Sequence, residues 1–243
     1  MQPTTVRLRL TTMIILVLCA FKLHAGEFKI VAGGGYKKPV QAVIHAYHSR
    51  SGRKIDAGYG NMRQILSQAK ASSRIALVIG DRKFLEQESI FSDDTLLGKG
   101  KLVLAWASST QKLTSADELA DSRITRIAHP NAKKAIYGRA ALEWLHSHQL
   151  ENTLKDKLIQ TATVPQVSSY LVAREIDAGF INLTDAIGLG DRIGGYLPLE
   201  TGYTPIQIVA ARVNTYRQDK DVQAFIDFLR SPEARTIFKQ YGM

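Results

Sequence analysis

Cysteine occurs once in 243 residues, at position 19. Everything after it has no disulfide and no thiolate for nucleophilic or metal chemistry. Long apolar runs are missing too: residues 13–21 form a stretch of nine, against the roughly 20 that a membrane-spanning helix needs. No P-loop, G-x-S-x-G elbow or H-E-x-x-H motif is present. His45 and His48 stand three apart and His146 and His148 two apart, but neither pair has the third ligand of a catalytic zinc site. There is no repeat, low-complexity tract or Pro/Gly-rich linker, and 45% hydrophobic composition excludes a disordered chain. With no identifiable nucleophile and base, an enzyme is not expected.

Acidic residues are also scarce, 22 against 32 Lys and Arg, for a net charge of +10. Part of that excess lies at the start. Arg7 and Arg9 precede the apolar stretch and the small Ala25 follows it. This is the pattern of a secretory signal, residues 1–25, cleaved after Ala25 to give a periplasmic protein. Bulky Leu18 stands where a lipoprotein signal has a small residue, so Cys19 is not read as a lipid site. Loss of Arg7, Arg9 and Lys22 lowers the charge from +10 to +7. That balance draws anions. Nucleic acid is set aside, since no recognition motif is present.

Strand and helix patterns alternate along the rest. Strands are expected at 28–32, 54–59, 75–79, 101–108, 124–128, 158–162, 177–182, 196–199 and 205–213. Helices are expected between them, one opening at a Ser115 cap, and two more close the chain after Asp219; residues 89–100 read as a loop. The alternation predicts α/β architecture with mostly parallel sheets. In such sheets ligands sit beyond the carboxyl ends of the strands, here the turns at 33–36, 60–63, 80–82, 129–138, 163–165 and 182–184.

The first of these turns holds Gly33, Gly34 and Gly35, then Tyr36, Lys37 and Lys38. Three glycines bring backbone N–H groups close to a ligand at a helix start, which suits an anion. The G-x-G-x-x-G spacing of a dinucleotide site is absent. The second turn pairs Asn61, a good helix cap, with Arg63, which could clamp an oxyanion or carboxylate. His129, at a strand end before Pro130, is the histidine singled out for a role.

Residues 222–243 (VQAFIDFLRSPEARTIFKQYGM) resemble the closing segment of the periplasmic molybdate-binding family, as do 164–186 (VPQVSSYLVAREIDAGFINLTDA), 129–145 (HPNAKKAIYGRAALEWL) and 96–106 (LLGKGKLVLAW). The resemblance spans almost the whole chain. It implies a two-lobed type II periplasmic-binding-protein (Venus flytrap) fold, each lobe a mostly parallel sheet flanked by helices, with lobe one at 26–106 plus 204–243 and lobe two at 107–203. It implies a monomer without cofactor or catalysis that holds a small oxyanion, molybdate or tungstate by default, between its lobes and delivers it to an inner-membrane ABC permease. The alternative is a sensor of the same fold that binds another anion or small carboxylate and signals through a membrane partner.

The ligand residues expected from the turns and from the resemblance together are Gly35, Tyr36, Asn61, Met62, Arg63, Gly80, Tyr137, Val164 and Asn182. Several depart from the family pattern. Tyr36 stands where a serine is usual, Asn61 and Met62 replace a serine pair, and Asn182 replaces a tyrosine. Met62 is left to contribute its backbone N–H. Lys37 and Lys38 are expected to raise the potential from the rim.

Overall fold

The computed structural model describes residues 28–243, so the signal segment lies outside the described residues. The chain runs β1 (Lys29–Gly33), a 3-10 turn (Gly34–Tyr36), α1 (Lys37–Ser51), β2 (Asp56–Gly60), α2 (Met62–Ala71), β3 (Ile75–Asp81), a single turn α3 (Arg82–Leu85) and β4 (Phe91–Gly100). It continues with β5 (Leu102–Trp106), a 3-10 turn (Ala116–Ala120), β6 (Ile127–Pro130), α4 (Ile136–Ser147), the short α5 (Glu151–Leu154), β7 (Leu158–Thr161), α6 (Val164–Ala173), β8 (Ala178–Asn182), α7 (Leu183–Leu189) and β9 (Gly195–Leu199). It closes with β10 (Ile206–Val213), α8 (Lys220–Leu229) and α9 (Pro232–Gln240).

Two five-stranded sheets result, ordered β2-β1-β3-β10-β4 and β7-β6-β8-β5-β9. Every residue of β3, β5 and β8 is buried, as expected of strands covered by helices on both faces. Both sheets are mixed. β1 runs parallel to β2 and β3, and β6 to β7 and β8, while β10 and β5 run antiparallel to both of their neighbours. Four strands of each sheet thus run in one direction, as the expectation of mostly parallel sheets has it, and β10 and β5 are the single reversed strands. Each enters its sheet directly from a crossover, without the helix that a parallel connection requires.

The crossovers also correct the expected lobe boundary. Leu102–Trp106, assigned above to lobe one, pairs with β8 and β9 in the second sheet, so the first crossover is at 100–102. The second is at 199–206. They lie side by side, because Gly100 is partnered with Ile206 and Leu102 with Leu199.

Residues 91–100, expected within a loop, form the edge strand β4, antiparallel to β10. Its residues are polar enough to face water, and its partner lies more than a hundred positions along the chain. Arg212 bonds Asp93 at 2.8 Å and Arg230 bonds Thr95 at 2.9 Å, which ties this edge to the last third of the sequence. Helix ends follow local chemistry. Asn61 and Gln64 form a reciprocal capping box on α2, Asp219 accepts from two N–H groups of α8, and Ser231 caps α9 ahead of Pro232.

Asp177, just before β8, accepts from Thr125 N at 2.7 Å, Thr125 Oγ1 at 2.9 Å and Arg126 N at 2.9 Å. Partial burial opposes its charge, but these bonds prevail and hold its carboxyl below the usual range. A carboxyl depressed in the folded state stabilises above its unfolded pKa and loses that contribution as pH falls through the folded value. Asp177→Asn is therefore expected to be about 1–2 kcal/mol less stable near neutral pH. In paired thermal melts the gap should close between about pH 4 and pH 2; a gap independent of pH would contradict this.

Candidate functional site

A cavity of about 20 Å³ lies between the two sheets. That is little more than the ~10–15 Å³ one water sphere needs. Its walls come from four chain segments. Gly33, Gly34, Gly35 and Tyr36 enter from the first, Gly60, Asn61 and Met62 from the second, Ala135, Ile136 and Tyr137 from the third, and Thr163 and Val164 from the fourth. No Asp, Glu, Lys, Arg or His side chain is among them.

Each segment is the start of a helix: the glycine turn leading into α1, then α2, α4 and α6. The first N–H groups of a helix have no intrahelical carbonyl to bond, and they carry the positive end of its dipole. The residue before α4, Ala135, supplies no side-chain cap. At α6 Thr163 caps only Gln166 N, and Pro165 has no N–H, so Val164 N remains as the free first-turn donor type. Asn61 Oδ1 is committed to Gln64 N at 3.0 Å, and its Nδ2 has no protein acceptor among the described residues.

Tyr36 and Tyr137 form the back wall. Their hydroxyls meet at 2.5 Å across the interlobe seam, and both rings are buried. They meet over the first crossover, where a Cβ on Gly100 would approach Tyr36 Oη to 3.0 Å and collide with Tyr137 Oη. Burial pushes both phenols above their ordinary range, and the nearby Asp81 carboxylate adds to the effect. Both are therefore neutral hydrogen-bonding groups.

Six of the nine residues predicted from sequence thus share the cavity wall: Gly35, Tyr36, Asn61, Met62, Tyr137 and Val164. The other three are placed elsewhere. Arg63 is exposed and outside the lining, because the next position along the first turn of α2 faces solvent. Gly80 is covered by the Met62 side chain, whose Sδ would lie 2.6 Å from a Cβ there. Asn182 is fully buried behind the cavity, where its Nδ2 donates to Gly35 O at 2.9 Å across the seam. Its Oδ1 makes no cap to α7 and has no hydrogen-bond partner among the described residues.

Three further expectations change. The Met62 N–H is not available to a ligand, since it donates to Lys134 O of the other lobe at 2.9 Å. Lys38 is not on the rim; its ammonium bonds Gly188 O of α7. His129 is buried and bonded at Nδ1 to Pro130 O at 2.9 Å, outside the lining, and burial lowers its pKa.

Sequence reasoning missed the ion pair that joins the lobes beside the site. Asp81 at the end of β3 is 1% exposed and accepts from Arg139 of α4 at 2.7 Å and from Gln207 N at 3.3 Å. Glu143 lies 3.5 Å from Arg139 Nε and accepts from Thr204 N in the second crossover at 2.7 Å. The signal available was only that Asp81 follows a buried strand.

Residues 28–243 match the family model described as bacterial extracellular solute-binding protein. The molybdate-binding protein ModA of Rhodobacter capsulatus is 23% identical over 246 residues, covering 99% of this chain and 97% of that protein. A putative binding protein of Haemophilus influenzae is 25% identical over 240 residues, with 96% and 97% covered. The solved periplasmic molybdate-binding protein of Azotobacter vinelandii superposes with a TM-score of 0.80 at 21% identity, covering 89% of this chain and 98% of that one. Its likeness extends the two-lobed reading to the type II periplasmic-binding-protein fold. Since the family model spans every residue described, the chain belongs to the bacterial extracellular solute-binding proteins, a family of binders and not of enzymes.

Proposed function

We propose that this protein is exported by cleavage after Ala25, acts as a monomer, and captures a small oxyanion between its lobes for delivery to a membrane ABC permease. Molybdate or tungstate is the default ligand, following the relatives named for molybdate. The observation that carries the reading is the convergence of four helix starts on one small cavity without a charged side chain. Such a site solvates an anion with fixed neutral donors and offers nothing comparable to a cation. Lobe one then comprises residues 28–100 and 206–243, and lobe two residues 102–199.

The departures at Tyr36, Asn61 and Met62 act on selectivity. Asn61 offers amide hydrogens where a hydroxyl is usual. Met62 offers an apolar wall, its own N–H being committed to Lys134 O. Tyr36 and Tyr137 fill the back of the cavity and limit its depth. A buried donor left without an acceptor costs about 1–3 kcal/mol, so an ion of the wrong size or donor demand is rejected by the groups it fails to satisfy.

Ligand at 100 times its dissociation constant is expected to stabilise the mature protein by about 2.7 kcal/mol. Thermal melts with molybdate, tungstate, sulfate and phosphate check this, and no shift with any of them would overturn the reading. Gly35→Ala places a Cβ 2.6 Å from Asn182 Oδ1 across the seam. It should hold the lobes apart and weaken anion affinity by roughly tenfold, the equivalent of overpacking by ~1.4 kcal/mol. Adding Asn182→Ala should restore part of the loss in calorimetric titration. Tyr36→Phe strands the Tyr137 hydroxyl and should destabilise by about 1–3 kcal/mol. The double variant with Tyr137→Phe should lose less than the sum of the two single variants in denaturant unfolding; strict additivity would show that the hydroxyls do not interact.

A further inference from the structure

The four segments that line the cavity, residues 33–37, 60–64, 131–137 and 161–166, contain Lys37, Arg63, Lys133 and Lys134 and no acidic residue. All four cations are exposed, and none forms an ion pair among the described residues. Other exposed cations, Lys220 and Lys239 among them, are also without an ion pair among the described residues, so what distinguishes these four is their place beside the lining. Lys37, Arg63 and Lys134 are each one residue from a lining residue and Lys133 is two, Cα steps of ~3.8 Å. The bond from Met62 N to Lys134 O sets Arg63 of one lobe beside Lys134 of the other. Lys37 lies over the Tyr59 ring, 6.0 Å from its centroid, next to Gly60 of the lining.

We propose that Lys37, Arg63, Lys133 and Lys134 form an electrostatic collar that sets how fast the anion is captured without contributing to how long it is held. These cations stand beside three of the four segments of a cavity whose own wall is uncharged, so attraction and retention are assigned to different groups. Charges at the mouth raise the local concentration of an approaching anion and accelerate encounter, an effect of 10- to 1000-fold in steered systems and one that salt removes. Once the ion is inside, neutral helix-start donors hold it, and the exposed side chains remain in water where screening is strong.

This inference rests on the oxyanion reading, and the test separates the two. Association and dissociation rates of molybdate, or of whichever oxyanion gives the thermal shift, are measured by stopped-flow fluorescence across a series of salt concentrations. The wild type is compared with Lys133→Glu/Lys134→Glu and with Lys220→Glu/Lys239→Glu. The last pair removes the same net charge from exposed sites on α8 and α9, neither of which lines the cavity. The collar variant should associate about tenfold more slowly at low salt and within about twofold of wild type at high salt, with dissociation unchanged. The control variant should follow the wild type, and melting temperatures confirm that all three are folded. Salt-insensitive association, an equal loss in the control, or a change confined to dissociation would overturn the collar and leave the oxyanion reading in place. No binding of any oxyanion to the wild type would overturn both.

Discussion

A helix cannot bond its own first N–H groups, and this structure depends on gathering four helix starts at one point between two sheets, that of α2 being closed by its own capping box and by Lys134 O of the other lobe. Each βα turn places a helix start beyond the carboxyl end of a strand: β1 leads into the glycine turn, β2 into α2, and β6 and β7 into α4 and α6. The donors come from backbone, so the wall needs no charged side chain and avoids the desolvation that a buried lysine or arginine would bring. Glycine at 33–35 removes the side chains that would otherwise fill the space.

The same arrangement fixes what joins the lobes. Around the cavity, each lobe satisfies polar groups of the other: Asp81 with Arg139, Asn182 with the Gly35 carbonyl, and the Tyr36 and Tyr137 hydroxyls with each other. A buried ion pair gains little net stability, because the desolvation of both partners offsets their attraction. Its use here is geometric. Arg139 and Glu143 connect the end of β3 to the second crossover, so the crossover and the residues beside the cavity share one set of contacts.

Much of this was legible in the sequence, and the exceptions have physical causes. Local patterns reveal local structure: the Val, Ile and Leu runs became buried strands, and Asn61, Ser115, Thr163 and Ser231 mark helix or 3-10 starts as their side-chain chemistry requires. β4 was not legible because its pairing is with β10, far along the chain, and its own composition is that of an exposed edge. The same distance hid the placement of β5 in the second sheet. At the site, the turns expected beyond the strand ends included all four lining segments, together with 80–82 and 182–184, which lie outside the lining. What sequence could not show was which groups already had partners. Only the folded chain reveals that Met62 N is bonded to Lys134 O, that Asn182 holds Gly35, and that Arg63 turns to solvent.

The contact between Met62 N and Lys134 O joins peptide group to peptide group. Replacement of either side chain therefore leaves it intact, proline at position 62 being the one substitution that deletes its hydrogen. The selectivity of the pocket can drift through new side chains at these positions while the alignment of the two halves stays the same. A scaffold docked in this way is free to change its cargo while its backbone seam stays as it is.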